Sequence, residues 1–91
     1  MVVLEIDKEM VERKKLVLQV CKERIFLIDS GKSGVKGEMA VRMKRTAVFL
    51  QDLFYRKGWW DVDELIRKYS GEILMIVNSR KMEFYRKKLK I

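Results

Sequence analysis

The segment EMAVRMKRTAVFLQDLFYRK, residues 38–57, constrains the fold more than any other part of this chain. Ala40, Met43, Ala47, Leu50 and Phe54 recur at spacings of three and four, which places them on one stripe of an α-helix. Arg42, Arg45, Asp52 and Arg56 fall on the opposite face. Gly58 follows where helices commonly stop, and Arg56 and Lys57 occupy the last turn, where the helix dipole favours cations. A helix with a single apolar stripe must bury it against something, so the remaining elements are expected to cover it.

Those elements are shorter and less periodic. MVVLEI, residues 1–6, is β-branched and predicts a strand. Asp7 is placed to cap a helix beginning at Lys8, with Glu9 and Glu12 near its positive end. Met10, Val11, Val17, Leu18, Cys21 and Ile25 share a face, which predicts a helix over 8–22 followed by a strand over 25–29. A β-meander, with LVLQV turning at CKER into IFLID, is the alternative. Asp61 with Glu64 three residues on forms a capping-box arrangement, and Trp60 and Leu65 are placed as a hydrophobic staple. A short helix over 61–69 then ends at Ser70-Gly71.

In the tail, Asn78-Ser79-Arg80-Lys81 separates EILMIV from MEFYRKK. Within one helix this polar run would break the apolar stripe for a full turn; as a hairpin turn it joins two β-branched and aromatic segments. The hairpin reading gives strands within 72–90. The resulting order is β-α-β-α-(short α)-β-β, an α+β domain with helices packed on a small mixed sheet, spanning 1–91. Small archaeal chromatin proteins of the Alba class share the order β-α-β-α-β-β, a similarity of fold alone with no motif of theirs present. The rival architecture is a winged-helix-like domain, using helices 38–57 and 61–69 with the tail hairpin as wing.

Ninety-one residues give room for one domain. No apolar run approaches the roughly 20 residues of a membrane span, and the N-terminus has no basic leader, so a cytoplasmic protein without membrane contact is expected. Cys21 is the only cysteine, which excludes an intramolecular disulfide and a four-cysteine zinc site. Histidine is absent, which removes Ser-His and Cys-His nucleophile pairs, imidazole bases and imidazole metal ligands. The expectation is a protein that is not an enzyme and uses neither cofactor nor metal.

FLIDSGKSGVKGEM, residues 26–39, invites a nucleotide reading. Gly31-Lys32-Ser33 match the end of a P-loop, but its first glycine would fall on Phe26, inside the expected strand. IDSGKSGVKG resembles the first phosphate loop of the sugar-kinase and actin-like ATPases, which implies a nucleotide contact there. In that family the loop is a β-hairpin backed by a second phosphate loop and a much longer chain, whereas GEMAVRMKR is helical in pattern. What remains is a lysine-bearing glycine loop before a helix. Backbone amides at Gly34 to Gly37, with Lys32 and Lys36, suit a nucleic-acid phosphate.

Charge points the same way. The net charge is +8, and it is unevenly placed. Residues 31–58 hold seven bases against two acids and residues 78–91 six against one, while 1–30 are balanced and 59–77 are acidic. Such clustering is what a basic face would produce. Tyr85 precedes Arg86-Lys87-Lys88, and aromatics set among cations can stack on single-stranded bases.

The sequence therefore predicts a small nucleic-acid-binding protein, for DNA or RNA, working through phosphate contacts. Lys32, Lys36, Arg42, Arg45, Arg80, Lys81, Tyr85, Arg86, Lys87 and Lys88 are its candidate contacts. The alternative is a protein-interaction subunit or homodimer, suggested by small size and six methionines. A third reading is a Mg²⁺-dependent nuclease built on Asp29 with Glu38 or with Asp61, Asp63 and Glu64, although helix capping accounts for the last three.

Overall fold

The computed structural model describes residues 8–58 and 61–91, and the chain there is helical throughout. α1 spans Lys8–Asp29, α2 Gly37–Arg56, α3 Val62–Lys68, α4 Ser70–Val77 and α5 Glu83–Leu89, with a 3₁₀ turn at Arg80–Met82 before α5. No strand occurs among the described residues, which overturns the α+β sheet fold and removes the wing from the winged-helix alternative. The strand expected at 1–6 lies outside the described residues.

α1 and α2 form a long antiparallel hairpin. Its two ends are tied by Lys44 to Asp29 (2.6 Å) near the connecting loop and by the Lys14 ammonium to the Lys57 carbonyl (2.7 Å) at the far end. The α2 stripe is buried as expected at Met43, Ala47, Leu50 and Phe54. Lys57 continues from α2 with extended backbone (φ −86°, ψ 150°), and Gly58 follows it.

α1 runs seven residues past the expected stop at 22, absorbing the segment 25–29 that reads as a strand. Its inward face explains the misreading. The buried positions are Lys14, Val17, Val20, Cys21, Arg24 and Leu27, so two of the six are cations. A search for apolar periodicity sees the stripe broken at 14 and 24, and the run Ile25–Ile28 then looks like an isolated β-type segment. Both cations donate to carbonyls at helix C-terminal ends, Lys57 just after α2 and Ile76 in the last turn of α4, which makes their burial tolerable.

α1 closes with paired turn bonds, Lys32 N–H to the Leu27 carbonyl (2.9 Å) and Gly31 N–H to the Ile28 carbonyl (3.1 Å). This is the Schellman arrangement, and it needs a left-handed residue at Gly31, whose φ is 73°. Gly31 therefore serves helix termination and not a phosphate-wrapping loop.

The tail differs most from its sequence reading. In place of a hairpin over 72–90, α4 and α5 lie against the α1–α2 hairpin. Ile73, Ile76 and Val77 are buried in α4, and Met82, Tyr85 and Leu89 around α5. Those spacings are helical; a strand would bury alternate residues. The helices are short enough that packing against the hairpin, not intrinsic propensity, decides their state. Asn78 and Ser79 still separate the two segments, as their polarity suggests.

α3 forms where expected, but Asp61 makes no side-chain capping bond and has αR backbone, so the capping box is not built. The Trp60 staple lies outside the described residues. Ser70-Gly71 does not stop the helical tail: Tyr69 separates α3 from α4, and α4 starts at Ser70.

Candidate nucleic-acid interface

The loop joining α1 to α2 and the 3₁₀ turn joining α4 to α5 meet at one end of the hairpin. The Lys81 ammonium donates to the Lys32 carbonyl at 3.2 Å, linking positions 49 residues apart. Arg24 reaches the same junction from inside. Its Nε donates to the Ile76 carbonyl in the last turn of α4 (2.7 Å), and its Nη2 donates to Ser79 Oγ (3.3 Å). The side chain is fully buried, and burial lowers its pKa, with the charge of Glu23 opposing the shift. The Nη1 group finds no hydrogen-bond partner among the described residues. Arg24 thus caps α4 and fixes where the 3₁₀ turn can sit.

Lys32, Lys36, Arg80 and Lys81 are all exposed here, and no ion pair among the described residues engages any of them. Of the nearby acids, Asp29 is held by Lys44. Within the loop, Ser33 Oγ accepts the Val35 N–H at 3.1 Å and donates to the Val35 carbonyl at 3.2 Å. Gly34 and Gly37 have left-handed backbone, φ 74° and 66°. α2 begins without a side-chain cap.

Of the other candidate contacts, Arg86 shares a groove with Arg80 and Glu83 beside the 3₁₀ turn. Arg42 and Arg45 are exposed on α2, along an open groove they share with Glu38, Val41 and Thr46. Arg86, Lys87 and Lys88 are exposed on α5. Lys88 and Lys90 line a groove with Glu9, Glu12, Arg13 and Gln19 of α1, and Lys90 pairs with Glu9 at 3.6 Å. The C-terminal basic run is therefore divided: Arg80, Lys81 and Arg86 lie by the 3₁₀ turn, whereas Lys88 and Lys90 lie beside acids of α1.

Tyr85 is buried against α1 and cannot stack on a base. The Glu23 carboxylate against its hydroxyl raises the phenol pKa, and burial adds to the shift. Phe84 is the exposed ring instead, 59% accessible, edge-on to Tyr85 with centroids 5.5 Å apart. Lys88 Nζ lies 4.5 Å from its centroid. Alternation on a strand and rotation on a helix both send neighbours to different faces, so sequence could tell that only one of the pair would be exposed, but not which.

Asp63 is paired with Arg13. Among the described residues no three acids or cysteines gather as a metal site. Cys21 is fully buried, and desolvation pushes its thiol pKa up to about 12, which leaves it neutral and unreactive at ordinary pH. No helix among the described residues is long and apolar enough to cross a membrane. Comparison with protein-family models, curated proteins and solved structures finds no match for this chain.

Proposed function

We propose that this protein binds nucleic acid through phosphate contacts, without catalysis, at the end of the helical hairpin where Lys32, Lys36, Arg80 and Lys81 meet. The reading is carried by the Lys81–Lys32 hydrogen bond, which makes neighbours of the two basic stretches that composition alone leaves far apart. A second support is that no ion pair among the described residues engages these cations; Glu83 near Arg80 offsets part of the charge, and the rest is available to an external polyanion. Phe84, one helical turn beyond Arg80 and Lys81, supplies a ring on which an unpaired base can stack. Arg42 and Arg45 contribute less, because they share their groove with Glu38.

The test is a salt titration with fluorescent duplex and single-stranded oligonucleotides. Each phosphate neutralised gives a log–log slope of about −0.9 on duplex and about −0.7 on single strands. A total slope steeper than about −2, lowered by charge reversal at Lys32 and Lys81, is the expected result. No binding at low salt, or binding indifferent to salt, rejects the proposal.

A further inference from the structure

The outward face of α2 is left uncovered. Five of the eight large apolar side chains standing exposed among the described residues belong to α2: Val41, Val48 and Tyr55 on this face, Met39 beside the buried stripe, and Phe49 edge-on to Tyr69 at 5.6 Å. Val41, Val48 and Tyr55 are each seven residues apart, so they form one seam opposite the buried stripe, and they are 52%, 48% and 67% accessible. Arg45 and Asp52 lie along the same seam, between the apolar positions. From Arg42 and Arg45 the charge on this face passes to Asp52 and Arg56, the last two paired at 3.2 Å.

We infer that this seam is a self-recognition surface, on which α2 of a second copy of the chain lies antiparallel with the two-fold axis between Val48 and Phe49. The register is set by shape and charge together. Glu38, Val41, Arg42 and Arg45 stand at i, i+3, i+4 and i+7 and border an open groove, the spacing of a hole that receives one side chain from a facing helix. An antiparallel copy centred between Val48 and Phe49 brings Tyr55 into that hole, where its ring meets the Arg42 guanidinium. The same register sets Val48 over the hole bordered by Arg45, Phe49 and Asp52. It also places Arg45 of each copy opposite Asp52 of the other, giving two symmetric ion pairs.

One register thus satisfies the apolar seam, the groove and the charges, and a shift of one turn breaks the Arg45–Asp52 match. A nucleic acid fits this face less well than the loop end, because Glu38 and Asp52 lie among its arginines. A single helix pair buries an area near the low end of specific interfaces, about 1,200 Å² or less in total, so the association is weak and concentration-dependent. This inference is separable from the polyanion reading, which rests on Lys32, Lys36, Arg80 and Lys81, although Arg42 and Arg45 border both surfaces.

Sedimentation equilibrium of the full chain, from about 1 μM to about 1 mM, is expected to show a monomer–dimer equilibrium. Val48→Glu, at a half-exposed site that leaves the core intact, weakens it about tenfold or more. Arg45→Asp and Asp52→Arg each weaken it about tenfold, and the double swap restores it to within about threefold of the parent. Circular dichroism confirms that each variant keeps its helical content. A monomer at every concentration overturns the inference. So does a double swap that fails to restore association, or a Val48→Glu effect seen only in oligonucleotide binding.

Discussion

The two ends of the α1–α2 hairpin are built alike and charged differently. At each, a buried cation of α1 reaches the carbonyl of another element: Lys14 to Lys57 at the open end, Arg24 to Ile76 at the loop end. At the open end the surrounding cations are matched by acids, Arg13 with Asp63 and Lys90 with Glu9. At the loop end Lys32, Lys36, Arg80 and Lys81 have no such partners among the described residues. Net charge alone does not reveal where a polyanion binds. What matters is where the fold leaves cations without compensation.

The shared core between the ends gives the largest expected effect. The folded-state pKa of Cys21 is raised from 9.0 to about 12, so the folded chain holds the thiol proton more tightly than the unfolded chain. The stabilisation is complete below about pH 9 and is lost as pH climbs towards 12, with a ceiling on the order of 4 kcal/mol. Tyr85, also raised, adds in the same direction. Urea denaturation between pH 8 and pH 11 checks this, and Cys21→Val removes most of the alkaline slope. If that variant keeps the full slope, the thiol is not the group responsible.

The two buried cations come next. Arg24→Ala removes a fully buried side chain and strands the Ile76 carbonyl, at a cost of about 3 kcal/mol. Lys14→Ala costs about 1–2 kcal/mol, since its ammonium sits nearer the surface. Arg24→Met keeps most of the packing volume and removes the desolvated charge but still strands the Ile76 carbonyl, so its loss is smaller, about 1–2 kcal/mol. Chemical denaturation of the three variants ranks them, and equal losses for Arg24→Ala and Lys14→Ala would mean that depth of burial does not set the cost.

Binding breaks the comparison most directly. Lys32→Glu with Lys81→Glu lowers oligonucleotide affinity about tenfold or more, whereas Lys88→Glu with Lys90→Glu lowers it less than about threefold, because those lysines already lie beside Glu9 and Glu12. Fluorescence anisotropy at one salt concentration measures both. Equal losses would mean that overall charge, not its placement, governs binding.

The smallest effect distinguishes neighbouring rings. Phe84→Ala changes stability by no more than about 0.5 kcal/mol because the ring is exposed, and it weakens single-strand binding in preference to duplex. Identical losses on the two substrates would assign Phe84 no stacking role.

Residue pattern alone was enough for α2, for the helical state of residues 8–22, for the break at Asn78 and Ser79, and for the exclusion of histidine chemistry. Each rests on a local property: regular apolar spacing, a polar interruption, or a side chain that is simply absent. The end of α1 and the state of the tail were not legible in the same way. Lys14 and Arg24 occupy inward positions that periodicity assigns to apolar residues, and only the carbonyls of α2's C-cap and α4 make that acceptable. Residues 72–77 and 82–89 carry short apolar runs compatible with strand or helix.

The juxtaposition of Lys32 with Lys81, the division of the last basic run between two ends, and the choice of Phe84 over Tyr85 as the exposed ring belong to tertiary structure. They depend on which helix faces which, and that is set by burial between segments distant in the chain. Local residue preferences decided where helices could form; long-range packing decided which charges were left to face the solvent.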